Sequence, residues 1–168
     1  FVTSVWSQAA EYFKDYDYHL IFETLNEPRL IGTGYEWWFN KWSIPSEVKD
    51  AIDCINKLNQ KAVDTIRDTG SNNRGRLIMC PGYDASIDGA TVSGFKLPTD
   101  ISGNKNRIAL SVHAYSPYNF AMNVGSGSTS TYTSSIKNEL QGLFSTLKSN
   151  FRDKGIPVVI GEFGSTDK

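Results

Sequence analysis

The sequence predicts an α/β fold built on a parallel sheet. Two observations predict it. Strand-length apolar runs alternate with helix-length amphipathic segments, in the order helix, strand, helix, strand, loop, strand, helix, strand. That alternation marks parallel strands joined by right-handed crossovers. The runs are also nearly continuous in apolar character, as strands buried on both faces are.

Val2 to Tyr16 reads as a helix with Val5, Ala9, Tyr12 and Phe13 inward. His19-Leu20-Ile21-Phe22-Glu23-Thr24-Leu25 is the first strand and leads into Asn26-Glu27-Pro28. Pro45 to Arg67 is a helix that places Val48, Ile52, Ile55, Ala62 and Ile66 close to one face. Ser46 is its expected N-cap, and Glu47 favours its first turn. The second strand, Arg76-Leu77-Ile78-Met79-Cys80, stops at Pro81-Gly82. Ala85 to Asn106 is expected to be irregular, because Asp88-Gly89, Ser93-Gly94, Pro98 and Gly103 break any long helix. Arg107-Ile108-Ala109-Leu110-Ser111-Val112 is the third strand and leads into His113-Ala114-Tyr115. Gly125 to Thr131 has a linker's composition but lies between a strand and a helix, so it reads as a surface loop. Thr133 to Phe151 puts Ile136, Leu140, Leu143, Phe144, Leu147 and Phe151 on one stripe. Gly155 and Pro157 end that helix. Ile156-Pro157-Val158-Val159-Ile160 then runs into Gly161-Glu162-Phe163-Gly164.

The chain has 168 residues, enough for one core, with 39% hydrophobic content. A net charge of −1 gives none of the basic footprint of a nucleic-acid binder. No run of about 18 apolar residues occurs, so no membrane span is expected. The N-terminus has no charged segment followed by an apolar stretch, so no signal peptide is visible. Cys54 and Cys80 are expected as two buried small side chains, with one bridge open to them in a secreted protein. Together with His19 and His113 they make no zinc motif.

An apolar run ending in a carboxylate is unusual, because an ionised carboxylate avoids low-dielectric surroundings unless paired or hydrogen-bonded. Two such ends, Glu27 and Glu162, suggest a working pair. Taken singly, either glutamate fits a helix cap or an arginine pair, and His113 fits a satisfied core histidine. Their grouping at one end of the sheet favours a site. Glycoside hydrolysis requires such a pair, with carboxyl groups about 5–5.5 Å apart for retention and about 6.5–9.5 Å for inversion. Glu23, four residues before Glu27, points to the same side and deeper, as a structural carboxylate. Trp37, Trp38 and Trp42 follow on the next loop, where flat rings stack on sugars or pack the loop against the next helix. Tyr118 is a weaker candidate of the same kind.

These segments resemble glycoside hydrolase family 5, the cellulases. The resemblance lies in Phe22-Glu23-Thr24-Leu25-Asn26-Glu27-Pro28-Arg29, Ser111-Val112-His113-Ala114-Tyr115 and Val158-Val159-Ile160-Gly161-Glu162-Phe163-Gly164. Pro81-Gly82-Tyr83 also looks like the family's fifth strand. The resemblance implies a (β/α)8 barrel present as about half, its fourth to seventh strands. It implies a retaining endo-β-1,4-glucanase without metal or cofactor. Glu27 would be the acid/base and Glu162 the nucleophile. Asn26 would bind the sugar 2-hydroxyl, His113 would lie near Glu27 or the sugar, and Tyr115 would donate to Glu162. Glu27 is expected in the less polar surroundings. Trp37 and Trp38 would contact a β-glucan polysaccharide or oligosaccharide. Secretion is implied in the same way.

Residues 1–168 are then part of a single catalytic domain. The family's early-strand arginine, the histidine after its third strand and the tryptophan of its eighth have no counterpart. A half sheet exposes two edges and an uncovered face, so the missing half or a second copy is expected as partner. Xyloglucan, mixed-linkage glucan, xylan and mannan are alternative substrates. Outside that class stand an inactive carbohydrate-binding fragment and a metal-dependent hydrolase built on His113 and the glutamates.

Overall fold

The computed structural model describes residues 1–167. Helix α1 (Val2–Phe13) precedes strand β1 (Phe22–Glu23), and α2 (Ser46–Asp68) leads to β2 (Ile78–Pro81). The short α3 (Ile87–Thr91) lies on the way to β3 (Ile108–Ala114). Helices α4 (Tyr118–Ala121) and α5 (Ser134–Asn150) precede β4 (Val158–Phe163). The strands form one parallel four-stranded sheet in the order β1-β2-β3-β4. Consecutive order, all-parallel pairing and intervening helices are the geometry of half a (β/α)8 barrel.

Side-chain alternation divides the sheet into two faces. Leu110 and Val112 of β3 pack with Leu147 of α5 and with Phe151, its C-cap, joined by Val158 and Ile160 of β4. Ala10, Val63 and Ile66 of α1 and α2 cover Phe22, Ile78 and Cys80. Each fully buried aliphatic side chain contributes about 1.5–3 kcal/mol. Residues between these on the strands, Ser111 and His113 among them, face the opposite way, into the barrel interior.

One polar clamp ties helix to strand ends. Asn59 of α2 is fully buried; its carbonyl accepts from Thr24 Oγ1 at 2.6 Å, and its amide donates to the Pro81 carbonyl at 2.8 Å. It therefore holds the upper ends of β1 and β2 together.

Several expectations change. The inward face of α1 is Trp6, Ala10 and Phe13, while Val5 and Tyr12 are exposed. The Trp6 ring sets this rotation: it lies 5.2 Å from Phe22, and its Nε1 donates to the Thr24 carbonyl. The helix stops at Phe13, because Arg76 takes the Phe13 and Tyr16 carbonyls. Strand β1 is shorter than its apolar run, although Phe22 and Thr24 both donate to backbone carbonyls flanking or within β2. Pro45, not Ser46, occupies the N-cap of α2, and the Ser46 hydroxyl turns to Glu47. Cys54 is exposed and Cys80 buried; both are free, and burial pushes the Cys80 thiol up to about 12. Two short helices are additional to the sequence reading: α3 runs through Asp88-Gly89 within the segment expected to be irregular, and α4 follows β3. The other helices and strands lie where the sequence places them, and residues 125–131 form no regular element.

The lower end of the sheet is closed by two buried arginines. Arg76 donates to the Phe13, Tyr16, Asp17 and Leu20 carbonyls and to Asn73 Oδ1. Arg67 makes a two-pronged bond to Asp100, at 3.1 and 2.8 Å, and donates to the Asn73 and Arg76 carbonyls. Removing one partner of such a pair leaves a buried charge uncompensated. Arg67→Met is expected to cost about 3–5 kcal/mol in urea denaturation. Adding Asp100→Leu should restore most of that loss. A single variant as stable as the parent would show that the pair carries no such energy.

Candidate active site

Glu27 lies beyond β1 on a backbone turn with φ 35°, a left-handed value that non-glycine residues seldom adopt. Arg29 holds that turn. Its Nη1 donates to the Glu27 carbonyl at 2.9 Å and lies 3.5 Å from Glu27 Oε2. Its Nε donates to Glu36 Oε1 at 3.3 Å, and Glu36 Oε2 accepts from the Gly32 amide. The guanidinium also lies 3.8 Å above the Trp37 ring centroid. One face of Trp37 is thus braced, yet Trp37 and Trp38 remain 60% and 71% exposed.

β3 supplies His113, whose side chain is 3% exposed. Its Nδ1 is 2.8 Å from Glu27 Oε1 and 3.4 Å from Glu162 Oε2, and its Nε2 is 4.0 Å from Glu23 Oε1. Ser111, one layer below, donates its hydroxyl to Glu23. Glu23 is therefore the deeper carboxylate expected from its spacing.

β4 delivers Glu162 through a register shift. Val112 pairs with Ile160, but His113 pairs with Glu162, so Gly161 is an extra residue on β4. Simple alternation from Val158 and Ile160 would send Glu162 to the helix side. The bulge returns it to the interior beside His113. Gly161 faces the interior too: a Cβ there would lie 3.4 Å from Ser111 Oγ and 3.6 Å from His113 Nε2. Tyr115 then donates its hydroxyl to Glu162 Oε2 at 3.0 Å. That bond, followed by burial, raises the Tyr115 phenol above its usual range.

One donor atom each from Glu27, His113 and Glu162 lies within 4.8 Å of the others. One oxygen of each carboxylate is thus within 4.8 Å of the other. The same trio has ligand types that suit a divalent cation. Glu27 is 18% exposed and Glu162 41%. Glu27 is the more enclosed, as expected, but its neighbours, His113 and Arg29, are polar. Asn26 is exposed at the rim beside Glu27. Trp37, Trp38, Asp84 and His113 line one cleft; Trp42 and Tyr118 do not line it.

Asp84 went unread in the sequence. It follows Pro81-Gly82-Tyr83, so it is one more carboxylate just beyond an apolar run, the same signal that marks Glu27 and Glu162. Its turn has φ 57°, and its amide donates to the Pro28 carbonyl at 2.8 Å. Gly82 and Gly89 permit this turn, since a Cβ on either would collide with backbone. Tyr83 braces the opposite loop, accepting from the Leu30 amide and donating to the Tyr35 carbonyl. Burial, then the Glu27 charge, push the Asp84 carboxyl up to about 7, while Arg29 and His113 pull the other way.

A raised folded-state value means that the folded chain keeps the Asp84 proton after the unfolded chain has lost it. The stabilisation is full below the ordinary carboxylate range and is lost as pH rises to about 7. Asp84→Asn should match the parent in urea near pH 4. Near pH 8 it should be more stable by about 1–2 kcal/mol, a figure reduced for partial solvent screening. Equal stability differences at both pH values would contradict a buried, protonated Asp84.

A family model described as cellulase (glycosyl hydrolase family 5) matches residues 1–168. Endoglucanase A of Clostridium longisporum is 49% identical over 98% of this chain and 30% of its own length. A family 5 lichenase from Caldicellulosiruptor sp. F32, solved as a mutant with cellotetraose, superposes with a TM-score of 0.94 at 48% identity. That alignment covers 99% of this chain and 45% of the lichenase chain. A xyloglucan-specific endo-β-1,4-glucanase from a metagenomic library, in complex with cellotriose, gives a TM-score of 0.84 at 36% identity, over 99% of this chain and 45% of that one. The chain thus spans less than half the length of these relatives, in keeping with about half a barrel. With its motifs, its parallel half-sheet and its paired glutamates, it belongs to glycoside hydrolase family 5.

Proposed function

We propose that this chain carries the catalytic pair of a retaining endo-β-1,4-glucanase. The closeness of the Glu27 and Glu162 oxygens, within 4.8 Å, carries the reading. A pair this close fits the retaining arrangement better than the wider inverting one, so the second group attacks directly. Glu162 attacks the anomeric carbon while Glu27 protonates the departing glycosidic oxygen. The glycosyl–Glu162 ester is then hydrolysed by a water that gives its proton to Glu27. Tyr115, donating at 3.0 Å, holds the Glu162 carboxylate aimed. Asn26, at the rim, takes the 2-hydroxyl of the sugar at the cleavage point. Trp37 and Trp38 offer ring faces to the β-glucan.

The lichenase and xyloglucanase relatives support glucans as the substrate class, including mixed-linkage glucan and xyloglucan. Residues 1–168 act as part of one catalytic domain, in a secreted protein. The other half of the barrel, from the same polypeptide or a second copy, completes the site. An apolar groove beside β4, lined by Phe120, Phe144, Ile160 and Phe163, gives that half a surface to cover.

With the barrel complete, Glu162→Gln should lower hydrolysis of barley β-glucan by more than about 10³-fold while cellotetraose still binds. Undiminished hydrolysis would remove Glu162 from the nucleophile role, and binding without turnover in the parent would favour a binding fragment. Dialysis against a chelator should leave the rate unchanged. Loss that zinc or calcium restores would reassign Glu27, His113 and Glu162 as metal ligands. In a polysaccharide panel, faster turnover of mannan or xylan than of glucan would displace the glucanase reading.

A further inference from the structure

We propose that Asp84 is a substrate-binding residue of the leaving-group side, hydrogen-bonding a hydroxyl of the sugar that departs. This rests on the reading of Glu27 as the acid. A proton donor stands beside the oxygen that leaves, so the departing sugar lies on the Glu27 side of the site.

Three observations place Asp84 there. Its amide donates to the Pro28 carbonyl at 2.8 Å, which fastens its turn to the residue next to Glu27. Asp84 lines the same cleft as the exposed Trp37 and Trp38 and the buried His113. Its Oδ1 is buried yet has no hydrogen-bond partner among the described residues. A buried acceptor without a partner is costly, and Asp84 is a lining residue of this cleft that carries one. A flat ring beside a polar group that accepts and donates is what a sugar offers its two faces to: C–H faces to the ring and hydroxyls to the carboxyl.

The protonation state fits. Carrying its proton in mildly acidic solution, Asp84 donates through one oxygen and accepts through the other, matching a hydroxyl's two capacities. Glu27, Arg29 and Glu36 around it are already committed to one another or to backbone, and His113 commits its Nδ1 to Glu27. The turn is rigid, since Gly82 and Gly89 bring backbone against backbone. Such a group rejects a leaving group without the hydroxyl far better than an apolar wall would.

The test compares leaving groups with the complete-barrel enzyme. Cellotetraose departs as a sugar; 4-nitrophenyl β-cellobioside departs as a phenol with no sugar hydroxyls. Asp84→Gly is the truncation, because glycine adopts φ 57° without strain. It should lower kcat/KM on cellotetraose by roughly 10- to 100-fold, and change that on the aryl glycoside by less than about threefold. Asp84→Asn, which keeps one donor and one acceptor, should recover most of the loss near pH 5. In a Glu162→Gln background, Asp84→Gly should weaken cellotetraose binding by a similar factor in calorimetry. Equal loss on both substrates would show that Asp84 acts through Glu27 or the fold, and no loss on either would overturn the assignment. A parent enzyme that cleaves neither substrate would instead sink the glucanase reading beneath it.

Discussion

The site depends on one buried imidazole set among three carboxylates. His113 lies 2.8 Å from Glu27, 3.4 Å from Glu162 and 4.0 Å from Glu23. Two unit negative charges at the spacing of Glu27 and Glu162 would repel by roughly 3–4 kcal/mol at an effective dielectric of about 20. The surrounding bonds lessen that cost. Ser111 donates to Glu23, Tyr115 to Glu162, and Arg29 stands behind Glu27. Each of these side chains is placed by a strand or by the turn just past one, so the charge arrangement and the sheet register are a single problem.

Much of this was legible in the residues, for a physical reason. Carboxylates just past apolar runs are expensive unless used, so the sequence itself marks Glu27 and Glu162. The bond from Tyr115 to Glu162 and the contact of His113 with Glu27 followed from strand-end placement and the family resemblance. The bulge did not. Period-two alternation sends Glu162 to the wrong face, and only the pairing of His113 with Glu162 shows how Gly161 corrects it. Helix rotation was likewise hidden. Val5, Ala9 and Tyr12 make an acceptable stripe, but the larger Trp6 ring wins the inward position by packing on Phe22. Asp84 carries a weaker signal, because Gly82 and Tyr83 separate it from its strand.

The two ends of the sheet carry different burdens. At the lower end Arg67 and Arg76 saturate backbone carbonyls, and the arrangement satisfies nearly everything it buries. At the upper end Glu27 and Asp84 sit in left-handed turns, and Asp84 Oδ1 and His113 Nε2 are buried without partners. Strain and unmet polar groups persist only where neighbouring structure over-determines them. Here the over-determination is traceable. Asn59 fastens Thr24 to Pro81, Tyr83 fastens Leu30 to Tyr35, and the Asp84 amide fastens its turn to Pro28.

The unequal exposure of the two glutamates follows from the same architecture. Glu27 is sheltered by the loop that Arg29 and Glu36 close, and by β3 through His113. Glu162 stands on β4, an edge strand among the described residues, with the apolar groove of Phe144 and Phe163 open beside it. A barrel completed along that edge would remove water from around Glu162 without altering its bond to Tyr115. Charges and hydrogen bonds gain strength as the surroundings lose water. The half-barrel therefore already fixes the direction in which each group points, and closure of the barrel sets how strongly each acts.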